Sequence, residues 1–398
     1  MIYLDNAATT KIHPDVLKAM MPYLTTEYGN AGTKYEFGRA AAKAIEVARK
    51  NVADFIGAKE GQIIFTSSGS EANNMAILGV LDYLHFSGKR RILVSSVEHD
   101  SVIKAANAAE KALCHSSENN IKDRFHIEYI RVNSDGTLDM NHLSELLSKD
   151  DVGLVSVMYV NNETGAVNPV HDIGEICASR DILFHTDCVQ AAGCHHIDVN
   201  YIGCDFATIS AHKIHGGKGV GALYIKDRRV IRPIIHGGKT QEFGMRGGTE
   251  NVAGIVGFGK ACQMAKSELV ERRTAVSLVK RLFYSTLTDE LNKLGISDIL
   301  SINGQDISND GKTLNIRLNN VDSETLLLML DSRGVYVSAG SACQSHESKP
   351  SHVLLAMGLS PDEARDSVRV SFSIFNTPDE AITAAKVFAE CVSTLLIL

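Results

Sequence analysis

The chain has 398 residues, 44% of them hydrophobic and 22% charged, the composition of an ordinary folded globular protein with room for two domains. A net charge of -7 argues against direct nucleic-acid or anionic-membrane binding as the main role, and no run approaches the roughly 18 apolar residues of a membrane helix. Eight cysteines without a Cys-x-x-Cys pair fit a reducing cytoplasm, not a disulfide framework or a zinc cage. The first residues, Met1 to Asn6, lack the charged and apolar regions of a signal peptide.

Along the chain, apolar strand-like runs alternate with amphipathic helical ones. Residues 62–66, 91–95, 153–159, 182–186, 206–210 and 221–225 read as strands, and 38–55 and 102–113 as helices between them. This is the pattern of a largely parallel α/β sheet covered on both faces. From about residue 261 the texture changes: a long charged helix over 262–294 leads to short strands at 313–318 and 368–372. The last helix is announced by Thr377 as N-cap, Pro378 at the first helical position and Glu380 closing a capping box. We expect a large domain over 15–260 and a smaller α/β domain made of 1–14 and 261–398.

Two of these strands end on ionisable residues. One run stops at Asp187; another turns polar at Ser210, Ala211, His212 and Lys213. Ligands of open α/β sheets bind at the carboxyl ends of the strands. A lysine there can condense with an aldehyde and an aspartate can keep a pyridine nitrogen protonated, which is what pyridoxal phosphate requires of a protein. Taken singly, a loop lysine and a surface aspartate are the plainer readings.

Further elements point the same way. Thr66 to Asn74, with Gly69 and Ser70, offers free amides and hydroxyls at a helix start, suited to a phosphate or simply to a cap. Thr249, in a second small-residue segment, could contribute. His99 ends a strand and opens a helix, so its ring could stack on a pyridine or serve structure alone. Asn162 follows a strand, where its amide could bind a cofactor oxygen or cap a loop. Cys343 sits among Ser and Gly, unlike a core cysteine, and suits a nucleophilic, redox or incidental thiol. Arg369, on the strand at 368–372, could fork onto a carboxylate or join a surface ion pair.

In this order the motifs resemble the cysteine desulfurases that supply sulfur for iron–sulfur clusters, within the class-V aminotransferases and the fold-type-I pyridoxal-phosphate enzymes. The resemblance rests on Tyr3 to Thr10, Ser68 to Asn74, Glu98-His99, Val160 to Glu163, His185 to Asp187 with Gln190, Ser210 to Lys213, Met245 to Asn251 and Gly340 to Cys343, and spans nearly the whole chain. It implies a mostly parallel seven-stranded sheet in the large domain and a smaller C-terminal domain carrying the cysteine loop. It implies that Lys213 holds the cofactor, Asp187 pairs with its ring nitrogen and His99 stacks on it. Gln190 and Asn162 meet its phenolic oxygen. Gly69, Ser70, Ser210 and His212 hold its phosphate, with Thr249 from the other subunit of a homodimer. Arg369, helped by Asn162, takes the carboxylate of L-cysteine. Cys343 takes the sulfur as a persulfide and can transiently ligate a cluster, with no metal of the enzyme's own.

An iron–sulfur scaffold or another sulfur carrier would then receive the sulfur in the cytoplasm. The rivals are a selenocysteine or cystine lyase, in which Cys343 is dispensable, and an inactive cofactor-bearing platform subunit. Ala211, His215, Gly217 and Gln344 depart from the usual pattern, as do an extra residue near 237–242 and a polar insertion at 114–124. None removes a catalytic group.

Overall fold

The computed structural model describes residues 1–111, 124–307, 311–339 and 350–397. Its central sheet has seven strands: β2 (Ile63–Thr66), β3 (Arg91–Ser95), β4 (His126–Ile130), β5 (Val152–Ser156), β6 (Leu183–Asp187), β7 (Phe206–Ser210) and β8 (Gly221–Ile225), after a short β1 (Ile2–Tyr3) outside it. The order is β2-β8-β7-β6-β5-β3-β4, and β8 alone among them runs against its neighbours. The carboxyl ends of β2, β3, β5, β6 and β7 therefore share one edge.

Both faces of the sheet are dry, and the alternation of side chains shows it. Ile63, Phe65, Leu93, Ala222 and Tyr224 join one apolar cluster with Val52 and Phe258; Ile64, Ile92, Val94, Leu223 and Ile225 join another with Met75 and Val102. A period of two with neither face polar is what a sheet sandwiched between helices demands. The helices Glu36–Phe55 and Val252–Ser267 cover the first face, and Gly69–Gly79 and Asp100–Lys111 the second.

A second, antiparallel sheet combines β9 (Leu300–Ile302), β10 (Thr313–Leu318) and β12 (Ser367–Ser371), in the order β12-β10-β9, while β11 (Val335–Tyr336) pairs in parallel with β1. Its apolar cluster is separate: Leu4, Phe283, Leu287, Leu314, Ile316, Val370 and Phe388 under the helices Leu269–Lys293 and Pro378–Ile397. The capping box at the last helix is present, with Thr377 N on Glu380 Oε2 at 3.1 Å and Glu380 N on Thr377 Oγ1 at 3.2 Å.

Three expectations change. The edge strand β4 was not anticipated, because at the sheet margin its side chains are largely outside the core and carry no apolar run. Regular pairing of the strand expected to reach Tyr159 ends at Ser156, although Val157 and Tyr159 still donate to the carbonyls of His185 and Asp187. The helix expected over 262–294 is two helices, broken at Glu268 (φ -115°, ψ 17°). The break falls where the apolar stripe changes cores: Met264 and Ala265 face the large sheet, Val276 and Val279 the small one.

Candidate active site

Five strand ends bring the expected residues to one edge, and the N-terminal segment closes over them. Asp187, the last residue of β6, is 5% exposed; its Oδ2 accepts from Asn73 Nδ2 (2.7 Å) and its Oδ1 from the Val189 amide (2.9 Å). Lys213 lies in the short turn Ala211–Lys213 directly after β7. Its Nζ donates to the carbonyls of Ala7 and, at 2.7 Å, Ala8. Gln190 Nε2 donates to that same Ala7 carbonyl at 2.9 Å. Lys213 and Gln190 are thus tied to each other through one backbone carbonyl of the N-terminal segment.

Burial lowers the Lys213 amine to about 7, with repulsion from Lys312 and Arg369 adding to it and Asp5 and Asp187 opposing. Close to half of such amines are unprotonated at neutral pH, the state in which a lysine is a nucleophile and a base. His212 is pushed down to about 4 by burial and then by the charge of Lys213; its Nδ1 lies 3.1 Å from Thr9 Oγ1. His215 is held in the left-handed region at φ 70°, its amide on Thr10 Oγ1 (2.9 Å) and its Nδ1 3.0 Å from the Lys11 carbonyl. The departure at this position is therefore accommodated by the same N-terminal segment.

Arg369, on β12, is 3% exposed and reaches across to the large sheet. Nη2 pairs with Asp5 Oδ1 at 2.8 Å, Nη1 donates to the Asn162 carbonyl at 3.1 Å, and Nε has no partner among the described residues. Asn162 is half-buried beside Glu163, whose buried carboxylate accepts from Ser351 Oγ at 2.5 Å.

The helix Gly69–Gly79 begins beside β7: a Cβ on Gly69 would lie 3.5 Å from Ser210 Cβ, and one on Gly221 only 3.0 Å from the Gly69 amide. Ser70 is exposed in that first turn. His99 opens the helix Asp100–Lys111 with its ring exposed and Nδ1 2.8 Å from Ser101 Oγ. Thr249 is exposed, three residues after Arg246, whose guanidinium pairs with Glu71 of the helix Gly69–Gly79 at 2.9 Å. Gly340 to Gln344, with Cys343, lie outside the described residues, as do positions 114–123 of the insertion.

Sequence reasoning missed four participants. Asp5 and the Ala7 carbonyl lie in a motif that carried the resemblance without an assigned role. Asn73 gave no signal of its own, since Ser70, Glu71 and Asn74 make the same helix turn polar. Lys312 gave no signal: it precedes β10, is 6% exposed, and its Nζ reaches the Lys213 carbonyl at 3.4 Å. A cavity of about 20 Å³, the size of one water, lies between Lys213, Lys312, Cys194, Thr10 and Arg272. No group of three metal-ligating side chains and no helix long and apolar enough to cross a membrane occurs among the described residues.

A parallel sheet with a depressed lysine, an aspartate and a cross-domain arginine at its carboxyl edge defines the class. The chain matches the aminotransferase class-V family over residues 2–382 and belongs to it. Within that family it is similar to the cysteine desulfurase IscS of Dictyoglomus turgidum, with 41% identity over 379 residues, 95% of this chain and 91% of that one. Among solved structures it is similar to a NifS-like protein (TM-score 0.85, 32% identity, 99% of both chains) and to SspA in complex with cysteine (TM-score 0.76, 31% identity, 95% of this chain and 100% of that one).

Enzymes of this class depend on pyridoxal phosphate. The residues present fit it. Ser210 Oγ and Gln190 Oε1 are buried without partners among the described residues, and such atoms call for a polar ligand. They line the ground between the Gly69 helix start, Asp187 and Lys213.

Proposed function

We propose that this chain works as a pyridoxal-phosphate-dependent cysteine desulfurase that passes the sulfur of L-cysteine to Cys343 and releases L-alanine. The observation that carries the reading is the Lys213 amine, lowered to about 7 and lodged between carbonyls of the N-terminal segment, with Asp187 and Arg369 close enough to act on its charge.

When bound, the cofactor supplies an aldehyde that captures the substrate amine and a ring that withdraws electrons from its α-carbon. Lys213 holds it and, as a neutral amine, removes the α-proton. Asp187 would keep the ring nitrogen protonated, and the His99 imidazole would stack on the ring. Gly69, Ser70, Ser210 and His212 hold the phosphate, and Gln190 and Asn162 meet the phenolic oxygen. Arg369, oriented by Asp5, receives the substrate carboxylate together with Asn162. The Cys343 thiolate attacks the substrate sulfur; the S–S bond forms as Cβ–S breaks, the electron pair returns to carbon, and protonation there yields alanine. Ser338 is backbone-paired to Arg369 and Ser351 is bonded to Glu163, so both flanks of the cysteine segment are rooted at the site.

We read the chain as two domains, expected at 15–260 and 1–14 with 261–398; the separate apolar clusters favour a boundary at Glu268, because Ala261, Cys262, Met264 and Ala265 pack with the large sheet. A homodimer is supported by the outward-facing Thr249 and by the exposed Leu17, Met21, Leu24, Tyr28 and Tyr35. Thr249 then serves the other subunit's phosphate site. Buried thiols at Cys177, Cys188, Cys194, Cys204, Cys262 and Cys391 are all free, in keeping with a cytoplasmic protein. The sulfur passes to an iron–sulfur scaffold or a thiolation carrier.

The deciding experiment follows alanine formed from L-cysteine by the cofactor-loaded protein and by its Cys343→Ala variant. Loss of turnover in the variant is expected. Undiminished turnover would instead identify a lyase for selenocysteine or cystine, and a visible spectrum unmoved by cysteine in the parent would identify an idle platform.

A further inference from the structure

Asn73 is 1% exposed in the helix Gly69–Gly79, yet its amide touches two other elements. Nδ2 donates one hydrogen to Asp187 Oδ2 at 2.7 Å and the other to Ser101 Oγ at 2.9 Å. The orientation of the amide is decided by its partners. Asp187 accepts from the Val189 amide on its other oxygen, and a carboxylate has no hydrogen to give. Turning the amide over would set oxygen against oxygen, so Nδ2 faces Asp187 even though Asn73 Oδ1 is left buried without a partner among the described residues.

The next link follows from the same accounting. The Ser101 backbone amide donates to His99 Nδ1 at 3.1 Å, so that nitrogen bears no hydrogen. Ser101 Oγ accepts from Asn73 and lies 2.8 Å from Nδ1; the hydroxyl hydrogen therefore points to that nitrogen. A ring nitrogen that receives two donors carries a lone pair, and the neutral imidazole then bears its hydrogen on Nε2.

We propose that Asn73 is a positioning residue: it couples the Asp187 carboxylate to the His99 ring through the Ser101 hydroxyl, and so holds His99 as the Nε2–H tautomer. Asp187 closes β6 and His99 opens the helix after β3; the Asn73 amide, from a third element, sets their relative orientation. His99 thereby presents an N–H donor, not an acceptor, on its open side. The use of that donor in the reaction rests on the function proposed above; the coupling itself does not.

Nitrogen-15 spectra of histidine-labelled, cofactor-free protein at about pH 8, above the ordinary imidazole pKa of about 6.5, read the tautomer directly. His99→Asn identifies the signals. The parent should show Nδ1 as an unprotonated and Nε2 as a protonated ring nitrogen. In Asn73→Leu, which keeps the volume, and in Ser101→Ala the two signals should move toward each other, and the double variant should move them no further than either alone. Asp187→Asn, which lets the amide turn over, should shift them too. Unmoved His99 signals in Asn73→Leu, with Ser101→Ala either moved or not, would overturn the coupling. If Asn73→Leu does not fold, Asp187→Asn provides the decision from the far end, and unmoved signals there overturn it equally. Failure of the protein to take up pyridoxal phosphate would sink the proposed function while leaving these spectra as they are.

Discussion

Ser338 and Arg369 exchange both backbone hydrogen bonds, Ser338 N to the Arg369 carbonyl at 3.2 Å and Arg369 N to the Ser338 carbonyl at 2.7 Å. The strand that carries the guanidinium is thereby the anchor of the segment that carries Cys343. Five residues of chain, spanning at most about 18 Å, separate Ser338 from Cys343 in the sequence.

Arg369 should govern capture of the substrate more than its turnover. Asp5 and the Asn162 carbonyl hold two of its nitrogens, and a buried fork with one nitrogen unpartnered is poised for a carboxylate. Arg369→Ala is expected to lower kcat/KM for L-cysteine by about 1.5–3 kcal/mol, roughly 10- to 150-fold, chiefly through KM. Arg369→Lys should restore little, because an ammonium lacks the planar fork. Steady-state alanine formation measures both; an unchanged KM in the alanine variant would remove Arg369 from the substrate site.

The Lys213 amine makes stability depend on pH. Folding lowers it from 10.5 to about 7, first through burial and then through Lys312 and Arg369. Between these values the unfolded chain binds a proton that the folded chain does not, so stability rises with pH across that window. Below about 7 both states are protonated and the burial cost is felt in full. Denaturant unfolding of cofactor-free protein from neutral to alkaline pH should show a shallower rise in Lys213→Met than in the parent. Equal slopes would mean that the folded amine titrates as it does in the unfolded chain.

Gly221 pairs with both Thr66 and Ser210, and a Cβ there would come within 2.7 Å of the Ser68 carbonyl carbon and 3.0 Å of the Gly69 amide nitrogen. Backbone cannot yield as a flexible side chain can. Gly221→Ala should displace the start of the Gly69–Gly79 helix, cost about 1–3 kcal/mol of stability, and weaken uptake of pyridoxal phosphate. A spectrophotometric titration of the cofactor-free variant checks this; parental affinity would show that the helix start does not hold the phosphate.

Far from the lysine, Glu242 (φ 43°) anchors the entrance to β2. It receives Arg49 on both oxygens, at 2.6 and 2.8 Å, and the Phe65 amide at 2.7 Å, while the guanidinium lies over the Phe65 ring. Glu242→Ala leaves Arg49 buried without its partner and should cost about 3–5 kcal/mol, measured by denaturant unfolding. Arg49→Met combined with Glu242→Leu should cost less than the single change. A loss under 1 kcal/mol in the single variant would mean that the pair is dispensable.

Strands with two buried faces were readable because each is a short apolar run bounded by polar turns; β7 and β8 were located to the residue. The edge strand β4 escaped because solvent on one side removes the run, and the break at Glu268 escaped because the helix pattern continues on both sides of it. Lys213, Asp187 and Arg369 were readable as candidates because strand ends are local features. Asn73 and Lys312 were not, since their partners lie 114 and 99 residues away.

By itself the sequence determined which chemical groups this protein brings to its sheet edge and to which family of enzymes they belong, because residue types and strand limits are written locally. The tertiary structure alone decided that burial lowers the Lys213 amine to about 7, that Asp5 turns Arg369, and that Asn73 joins Asp187 to Ser101. Proton affinities and hydrogen-bond geometry depend on burial and on distances between residues remote in the chain, and only folding sets those distances.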